Sequence, residues 1–242
     1  MAVNALRGAL GFLTRIPITP DDADWDAFRA APWTFPVVGY VVGLLASMPV
    51  FAPLPDGATA ASYVAVLYLV TGVSHADGLA DLGDAAAVHG PARRREVLKD
   101  SMLGVGGALA LGVVLVALAF TAASAVELGV YTAVALFVAS EVGAKLGMAV
   151  LACTGTAAHE GIGSQFTGNE PRDLVLPVFL TLPLLVVGPP AIAVLGGPIA
   201  AVVLARWTRG WLGGVNGDVF GATNELGRFL GLLLGVMAWT VW

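Results

Sequence analysis

Long apolar stretches separated by short polar connections dominate the chain. A window of about 20 apolar residues is long enough to cross the hydrocarbon core of a bilayer as a helix. Such windows occur at 34–54, 58–75, 103–126, 128–152, 172–190, 191–208 and 226–242. Prolines shorten the fifth and sixth windows. The pattern therefore predicts an all-α polytopic integral membrane protein with six to seven transmembrane helices, and it lacks the alternation typical of membrane β-strands.

Composition supports this interpretation and excludes several other classes. The 242 residues are 57% hydrophobic and only 12% charged, with a mean hydropathy of +0.84. Soluble domains contain about 25% charged residues. The single cysteine, Cys153, excludes an internal disulfide framework and a thiolate metal cage. No basic stripe of the kind that binds nucleic acid is present, so we expect no nucleic-acid partner.

The distribution of basic residues predicts the orientation in the membrane. Lys and Arg occur before the first window, between the second and third, between the fourth and fifth, and after the sixth, whereas the connections near 53–58, 127 and 188–198 contain none. Because basic connections stay in the cytoplasm, we expect the N-terminus and every polar motif on the cytoplasmic face of the plasma membrane. We interpret 1–242 as a single transmembrane catalytic domain, in which 1–30 is an interfacial or cytoplasmic segment.

An acidic motif follows the second window directly. Asp77, Asp81 and Asp84 are spaced i, i+4 and i+7, so a helix presents all three on one face. Three like charges repel unless a cation neutralises them, and an all-oxygen group suits Mg²⁺, which usually also binds substrate phosphates. The alternative to a metal site is a helix start at which acidic residues are attracted to the positive end of the helix dipole, and this explains one or two of the three carboxylates. His75 lies two residues before Asp77 and therefore points to a different face of the helix. Its open roles are an acid/base group, a phosphate contact or an interfacial histidine.

A second acidic motif precedes the last window. Asp218 and Glu225 are seven residues apart and share a helix face, and Gly217 and Gly221 leave room for a neighbouring helix or ligand. Because this motif is predicted on the same side as Asp77, the two could converge on a pair of metal ions. The alternative is an N-cap aspartate with a first-turn glutamate.

Weaker signals lie in the other polar segments. Lys99 and Ser101, followed by glycines, are candidates for phosphate contact, although the segment is not a P-loop. The arginines at 93–95 indicate topology or contact with anionic lipid. Glu141 and Lys145 form an i, i+4 pair inside the fourth window, which is either functional or a self-neutralising structural pair.

These motifs, in this order, resemble the cobalamin synthase family, the adenosylcobinamide-GDP ribazoletransferases, nearly end to end. The residues that carry the resemblance are 10–17, 35–39, the H-x-D-G-L-A-D-x-x-D motif at 75–84, 100–104, 160–163 and 217–225. The chain departs from the family pattern at Met102, Asn216 and Glu141.

The resemblance implies an enzyme that joins adenosylcobinamide-GDP to α-ribazole or its 5′-phosphate and releases GMP, with Mg²⁺ as cofactor. The implied metal ligands are Asp77, Asp81, Asp84, Asp218 and Glu225. The implied catalytic residues are Asp81, Glu225 and His75. The implied substrate and phosphate contacts are Lys99, Ser101, Gly104, Asn216 and Arg209. The partners are these substrates and the lipid bilayer; a homo-oligomer and association with other cobamide-assembly enzymes stay open.

Two other functions compete with this one. A CDP-alcohol phosphotransferase of phospholipid synthesis shares the membrane, the metal and the reaction type, but its motif has Arg where this chain has Asp81, and the later spacing is missing. A cation transporter predicts carboxylates at mid-membrane depth in two corresponding halves, whereas the acidic motifs here are predicted at one face.

Overall fold

Helices form the regular structure of residues 1–241, the part of the chain that the computed structural model describes. The α-helices are α1 (Ala2–Leu13), α2 (Asp22–Arg29), α3 (Thr34–Ala46), α4 (Asp56–Thr71), α5 (Ser74–Ala87), α6 (Pro91–Val97), α7 (Val105–Glu127), α8 (Val130–Thr154), α9 (Ile162–Phe166), α10 (Val175–Phe179), α11 (Gly196–Arg209) and α12 (Gly217–Val241). The 3₁₀ helices are Met48–Phe51, Pro171–Leu174, Leu182–Val187 and Pro189–Leu195. Within the same residues, β-type pairing is limited to one isolated bridge, between Ala157 and Val215.

Four segments are long and apolar enough to cross a membrane. They are Thr34–Phe51, which joins α3 to a 3₁₀ turn, then α7, α8, and Pro189–Arg209, which ends in α11. The bent pair of α4 and α5 becomes a fifth segment if it is counted as one span. The all-helical architecture agrees with the prediction, and several helices have the length and composition of membrane spans.

The predicted fifth window, 172–190, is not one helix. Its residues lie in the 3₁₀ helices Pro171–Leu174 and Leu182–Val187, the five-residue helix α10 and the start of the 3₁₀ helix Pro189–Leu195. Proline removes a backbone donor and clashes with the preceding turn, and Pro177 and Pro183 recur too closely for a long helix. The last window falls on α12, which contains Asp218, Glu225 and Arg228 and is not among the four apolar segments.

A sharp bend separates α4 from α5. Gly72 has a φ of 71°, a left-handed conformation that glycine adopts without steric cost, and the two helices meet at 100°. Helix α5 then packs against the beginnings of α7 and α12: Gly83 contacts the Gly106 backbone, and Gly78 contacts Asp218. The acidic motif of α5 is therefore placed across the ends of two long helices.

Helix α8 lies at the centre of the bundle and packs against α3, α11 and α12. Small residues permit this packing. A side chain at Gly197 of α11 would overlap the backbone oxygen of Gly143 in α8, and Gly147 faces the Gly197 backbone in the same way. Helices that associate in lipid use such small residues to bring backbones into contact. The close approach fixes α11 and α12 around α8.

Candidate active site

The two acidic motifs meet where α5 crosses α12. A Cβ atom at Gly78 would lie 2.8 Å from Cα of Asp218, so the helix backbones are in contact there. One turn further along α12, Gly221 packs against the backbone of His75. Asp77, Asp218 and His75 line the same cavity, which has a volume of about 270 Å³. The predicted convergence of Asp77 and Asp218 is thus present in the structure.

The aspartates are close enough to perturb one another. Asp81 lies about one helical turn from both Asp77 and Asp84, and Asp218 meets α5 at the Gly78 contact. Like charges held this close repel one another, so the ionised carboxylates are destabilised by their neighbours. A bound cation would relieve this destabilisation.

The donor chemistry of this group fits Mg²⁺ with substrate oxygens completing the coordination. Within residues 1–241, no three His, Cys, Asp or Glu side chains converge closely enough to hold one ion by themselves. Mg²⁺ is usually bound through one or two carboxylates together with waters and substrate phosphates. Asp77 and Asp218, both on the cavity wall, supply such a pair of carboxylates. The five implied ligands do not form one cluster.

Asp84 interacts with the beginning of α7. Its Oδ2 accepts a hydrogen bond from the Gly104 N–H and its Oδ1 accepts one from the Gly107 N–H, both at 2.8 Å. The first N–H groups of a helix have no partner within the helix, and a carboxylate there is favoured by the helix dipole. Asp84 therefore caps α7 from a different helix, and Gly104, implied as a substrate contact, is part of this cap.

Asn216 orients Asp218 at the start of α12. Its Nδ2 donates to Asp218 Oδ2 at 2.7 Å, and its Oδ1 accepts the Val219 N–H at 3.1 Å. The loop before α9 is held alongside, because the Ala158 N–H donates to the Val215 carbonyl at 2.9 Å. Asn216 thus acts on the site through Asp218 rather than from the cavity wall.

Glu225 lies deep in the bundle, seven residues and about 10 Å of helix rise from Asp218. Arg228 Nη1 donates to both of its carboxylate oxygens at 2.9 Å, and the Tyr68 hydroxyl donates to Oε2 at 2.6 Å. Glu225 is only 1% exposed. The structure therefore places Glu225 in a buried ion-pair network and not among the aspartates, where the resemblance implied it.

The same network includes the predicted intramembrane pair. Glu141 accepts from Arg228 Nε at 2.7 Å, whereas Lys145 Nζ lies 3.9 Å from Glu141 and donates to Asn224 instead. The main partner of Glu141 is therefore Arg228, which the sequence interpretation did not single out. The signal was available, since Arg228 lies inside an apolar run and intramembrane charges require partners.

The remaining implied contacts are spread around the site. Lys99 and Ser101 are exposed in the connection between α6 and α7. Arg209 lines a separate cleft with Arg206 and Gly214, away from the aspartates. The structure thus leaves Lys99 and Ser101 free for a ligand at the surface and does not bring Arg209 to the cavity.

Aromatic side chains that the sequence interpretation missed form much of the cavity wall. Phe12, Phe35, Phe166 and Phe220 line it together with His75. Phe166 is the central ring, with centroids 6.0 Å from Phe12, 5.8 Å from Phe35 and 6.0 Å from Phe220. These rings come from four helices. Phe12, Phe35 and Phe220 lie in segments that carry the family resemblance, but no spacing pattern marks any of the four as a cavity residue.

Comparison with known proteins gives consistent matches. The family model described as cobalamin-5-phosphate synthase matches residues 5–237. A Halorubrum lacusprofundi protein named adenosylcobinamide-GDP ribazoletransferase is 49% identical over 99% of both chains. Relatives of the same name from Haloquadratum walsbyi and Archaeoglobus fulgidus are 42% and 35% identical, covering 99% and 97% of both chains. No solved structure matches the chain significantly.

Proposed function

The chain belongs to the cobalamin-5-phosphate synthase family, and we propose that it is an adenosylcobinamide-GDP ribazoletransferase of cobamide nucleotide-loop assembly. The structural observation that supports this assignment is the cavity shared by Asp77 and Asp218, where two acidic motifs from distant segments meet beside aromatic rings. Carboxylates that repel one another suit a cation bound together with the pyrophosphate of a substrate. The whole chain acts as a single transmembrane catalytic domain.

The reaction is a phosphoryl-centre displacement. A hydroxyl of α-ribazole, or of its 5′-phosphate, attacks the phosphorus attached to the cobinamide arm. A new P–O bond forms, the bridging P–O bond breaks, and GMP leaves with the electron pair. The hydroxyl proton passes to a site carboxylate or to water. Such transfers depend mainly on alignment of the two reactants and on neutralisation of negative charge.

The residues of this chain hold the reactants in place. Asp77 and Asp218 would hold Mg²⁺, which supplies charge neutralisation to the pyrophosphate when bound. Asp81 adds negative potential beside them, and Asn216 fixes the Asp218 carboxylate through its 2.7 Å hydrogen bond. Lys99 and Ser101, exposed between α6 and α7, would contact phosphate oxygens in this proposal.

The site lies on the cytoplasmic face of the plasma membrane in this proposal. The connection that contains Arg93 and Lys99 is basic, whereas the connection from Met48 to Asp56 contains no Lys or Arg. The test is labelling by a membrane-impermeant maleimide in a Cys153→Ala background. Ser101→Cys should react only from the cytoplasmic side and Asp56→Cys only from the opposite side.

The decisive experiment is turnover by the purified protein in a bilayer. Adenosylcobinamide-GDP, α-ribazole or its phosphate, and Mg²⁺ should give a cobamide and GMP in equal amounts by mass spectrometry. Replacing the first substrate by a CDP-alcohol precursor should give no product. Turnover of the cytidine substrate alone would move the assignment to a phospholipid-type phosphotransferase, and Mg²⁺ flux without product would favour a transporter.

A further inference from the structure

The cavity beside the aspartates has one largely apolar part. Phe12, Phe35, Phe166 and Phe220 line it, with Met148 and Ile162 between them. Phe35, Phe166 and Phe220 are at most 5% exposed, whereas Phe12 is 42% exposed. Rings arranged in this way suit an aromatic ligand, because base–aromatic stacking does not depend on polar edges. The polar side chains of the same cavity are Thr71, Ser74, His75, Asp77 and Asp218.

Size and polarity distinguish between the groups that the proposed substrates could place here. A volume of about 270 Å³ is far too small for a corrin macrocycle. Guanine would fit, but its edge presents several acceptors and donors, and burying these among phenyl rings without partners is unfavourable. The base of α-ribazole is a benzimidazole in which one ring nitrogen carries the ribose, so a single acceptor nitrogen remains.

His75 offers a matching polar group. Its side chain is buried, it lines the cavity, and its Nδ1 has no hydrogen-bond partner among residues 1–241. A buried polar atom without a partner is unfavourable and uncommon. The Thr71 hydroxyl donates to the Leu67 carbonyl, and Ser74 is exposed. His75 is therefore the buried cavity side chain that still lacks a polar partner.

We infer that this cavity is the acceptor-nucleoside subsite, in which the phenylalanine rings hold the benzimidazole and His75 donates a hydrogen bond to its free ring nitrogen. The inference rests on the proposed function and deepens it by stating which substrate occupies the cavity. With the base among the rings, the ribose extends toward Asp77 and Asp218, where the phosphoryl transfer takes place. His75 is then a positioning and specificity residue for the base, and the corrinoid-GDP approaches from outside the cavity.

The test compares α-ribazole with an indole analogue in which CH replaces the free ring nitrogen. His75→Leu should raise the KM for α-ribazole about five- to tenfold, the effect of one hydrogen bond to a neutral group. It should leave the KM for the indole analogue unchanged. His75→Gln, which keeps a donor, should recover part of the loss. Phe12→Ala should raise the KM for both nucleosides about tenfold, with Phe120→Ala, a 73% exposed phenylalanine outside the cavity, as the matched control.

The outcomes separate this inference from the proposed function. If His75→Leu raises the KM equally for both nucleosides, or if these variants change the KM for adenosylcobinamide-GDP instead, the subsite is wrong and the transferase assignment stands. If folded wild-type protein turns over neither nucleoside, both the acceptor-nucleoside subsite and the transferase assignment are wrong. Titration calorimetry of α-ribazole binding and a thermal melt of each variant separate lost recognition from lost folding, and Phe12→Leu replaces Phe12→Ala if the latter does not fold.

Discussion

Arg228 and Glu141 join α12 to α8, with Nε of the arginine 2.7 Å from Oε1 of the glutamate and neither side chain exposed. The arginine also pairs with Glu225, and Lys145 completes a group of two acids and two bases that sums to zero formal charge. Glu225, which the resemblance implied as a metal ligand, is therefore part of the ion-pair network that links α12 to α8.

Removing Arg228 should destabilise the fold severely. Arg228→Met leaves Glu141 and Glu225 buried without their main partner, and breaking a buried ion pair costs about 3–5 kcal/mol. Denaturant titration in mixed micelles measures the free energy of unfolding. The control is Arg172→Met, since Arg172 pairs with Glu170 at the surface with 77% of its side chain exposed. A variant at Arg228 as stable as the control would contradict a structural role for the network.

Removal of Mg²⁺ should abolish transfer, and Asp77→Asn should do the same in its presence. Replacing one ligand of the phosphate-binding cation is expected to lower kcat about 100-fold or more. Mg²⁺ should raise the thermal midpoint of the wild type but not that of Asp77→Asn. Asp56→Asn, which changes an exposed acid at the start of α4, should keep both responses. An unchanged Mg²⁺ response in Asp77→Asn would exclude this residue as a ligand.

Asp81→Asn should stabilise the metal-free protein. Asp81 shares one face of α5 with Asp77 and Asp84, and Asp218 meets that helix at Gly78, so a neutral side chain at position 81 relieves repulsion between like charges. Because the side chain is partly exposed and screened, we expect a modest rise of about 2–4 °C in the melting temperature in EDTA. Transfer activity should fall at the same time. A lower melting temperature in EDTA would show that Asp81 makes a stabilising contact instead.

Asp84 should contribute to stability and not to the Mg²⁺ response. Asp84→Ala removes the acceptors of the Gly104 and Gly107 N–H groups, and loss of a helix cap costs about 1–2 kcal/mol. Asp84→Asn keeps one oxygen acceptor and should lose less. Thermal melts with and without Mg²⁺ decide the matter. If Asp84→Ala keeps its stability but loses the Mg²⁺ shift, the residue is a ligand, as the sequence interpretation held.

The contact between Gly78 and Asp218 should restrict position 78 to glycine. A Cβ atom there would lie 2.8 Å from the Asp218 backbone, so Gly78→Ala must push α5 away from α12 and displace Asp77 from Asp218. We expect kcat to fall about tenfold or more, since small misplacements of reacting groups are costly. Gly112→Ala in α7 meets no atom within 4 Å and is the control, with activity unchanged. Equal activity of the two variants would contradict the close approach.

Much of the architecture follows from local pattern, and the exceptions have local causes as well. The windows at 103–126 and 128–152 correspond to the long helices α7 and α8, and the window at 34–54 corresponds to α3 with the 3₁₀ turn that follows it, because each window is mostly apolar. The single helix predicted at 172–190 is absent because its prolines allow only short helical pieces. The i, i+4, i+7 spacing of the first acidic motif correctly anticipated a helix, α5. The metal roles stay predictions.

The all-helical class, the apolar segments of spanning length, the acidic motifs and the family follow from the sequence, because hydrophobic length and residue spacing are properties of contiguous segments. The partner of each charged group depends on the tertiary structure. Glu141 and Arg228 are 87 positions apart, and Asp84 reaches N–H groups 20 and 23 residues away. The aromatic cavity likewise exists only after four helices pack together. Such contacts depend on how helices cross, which glycine-mediated packing fixes and helical periodicity does not encode.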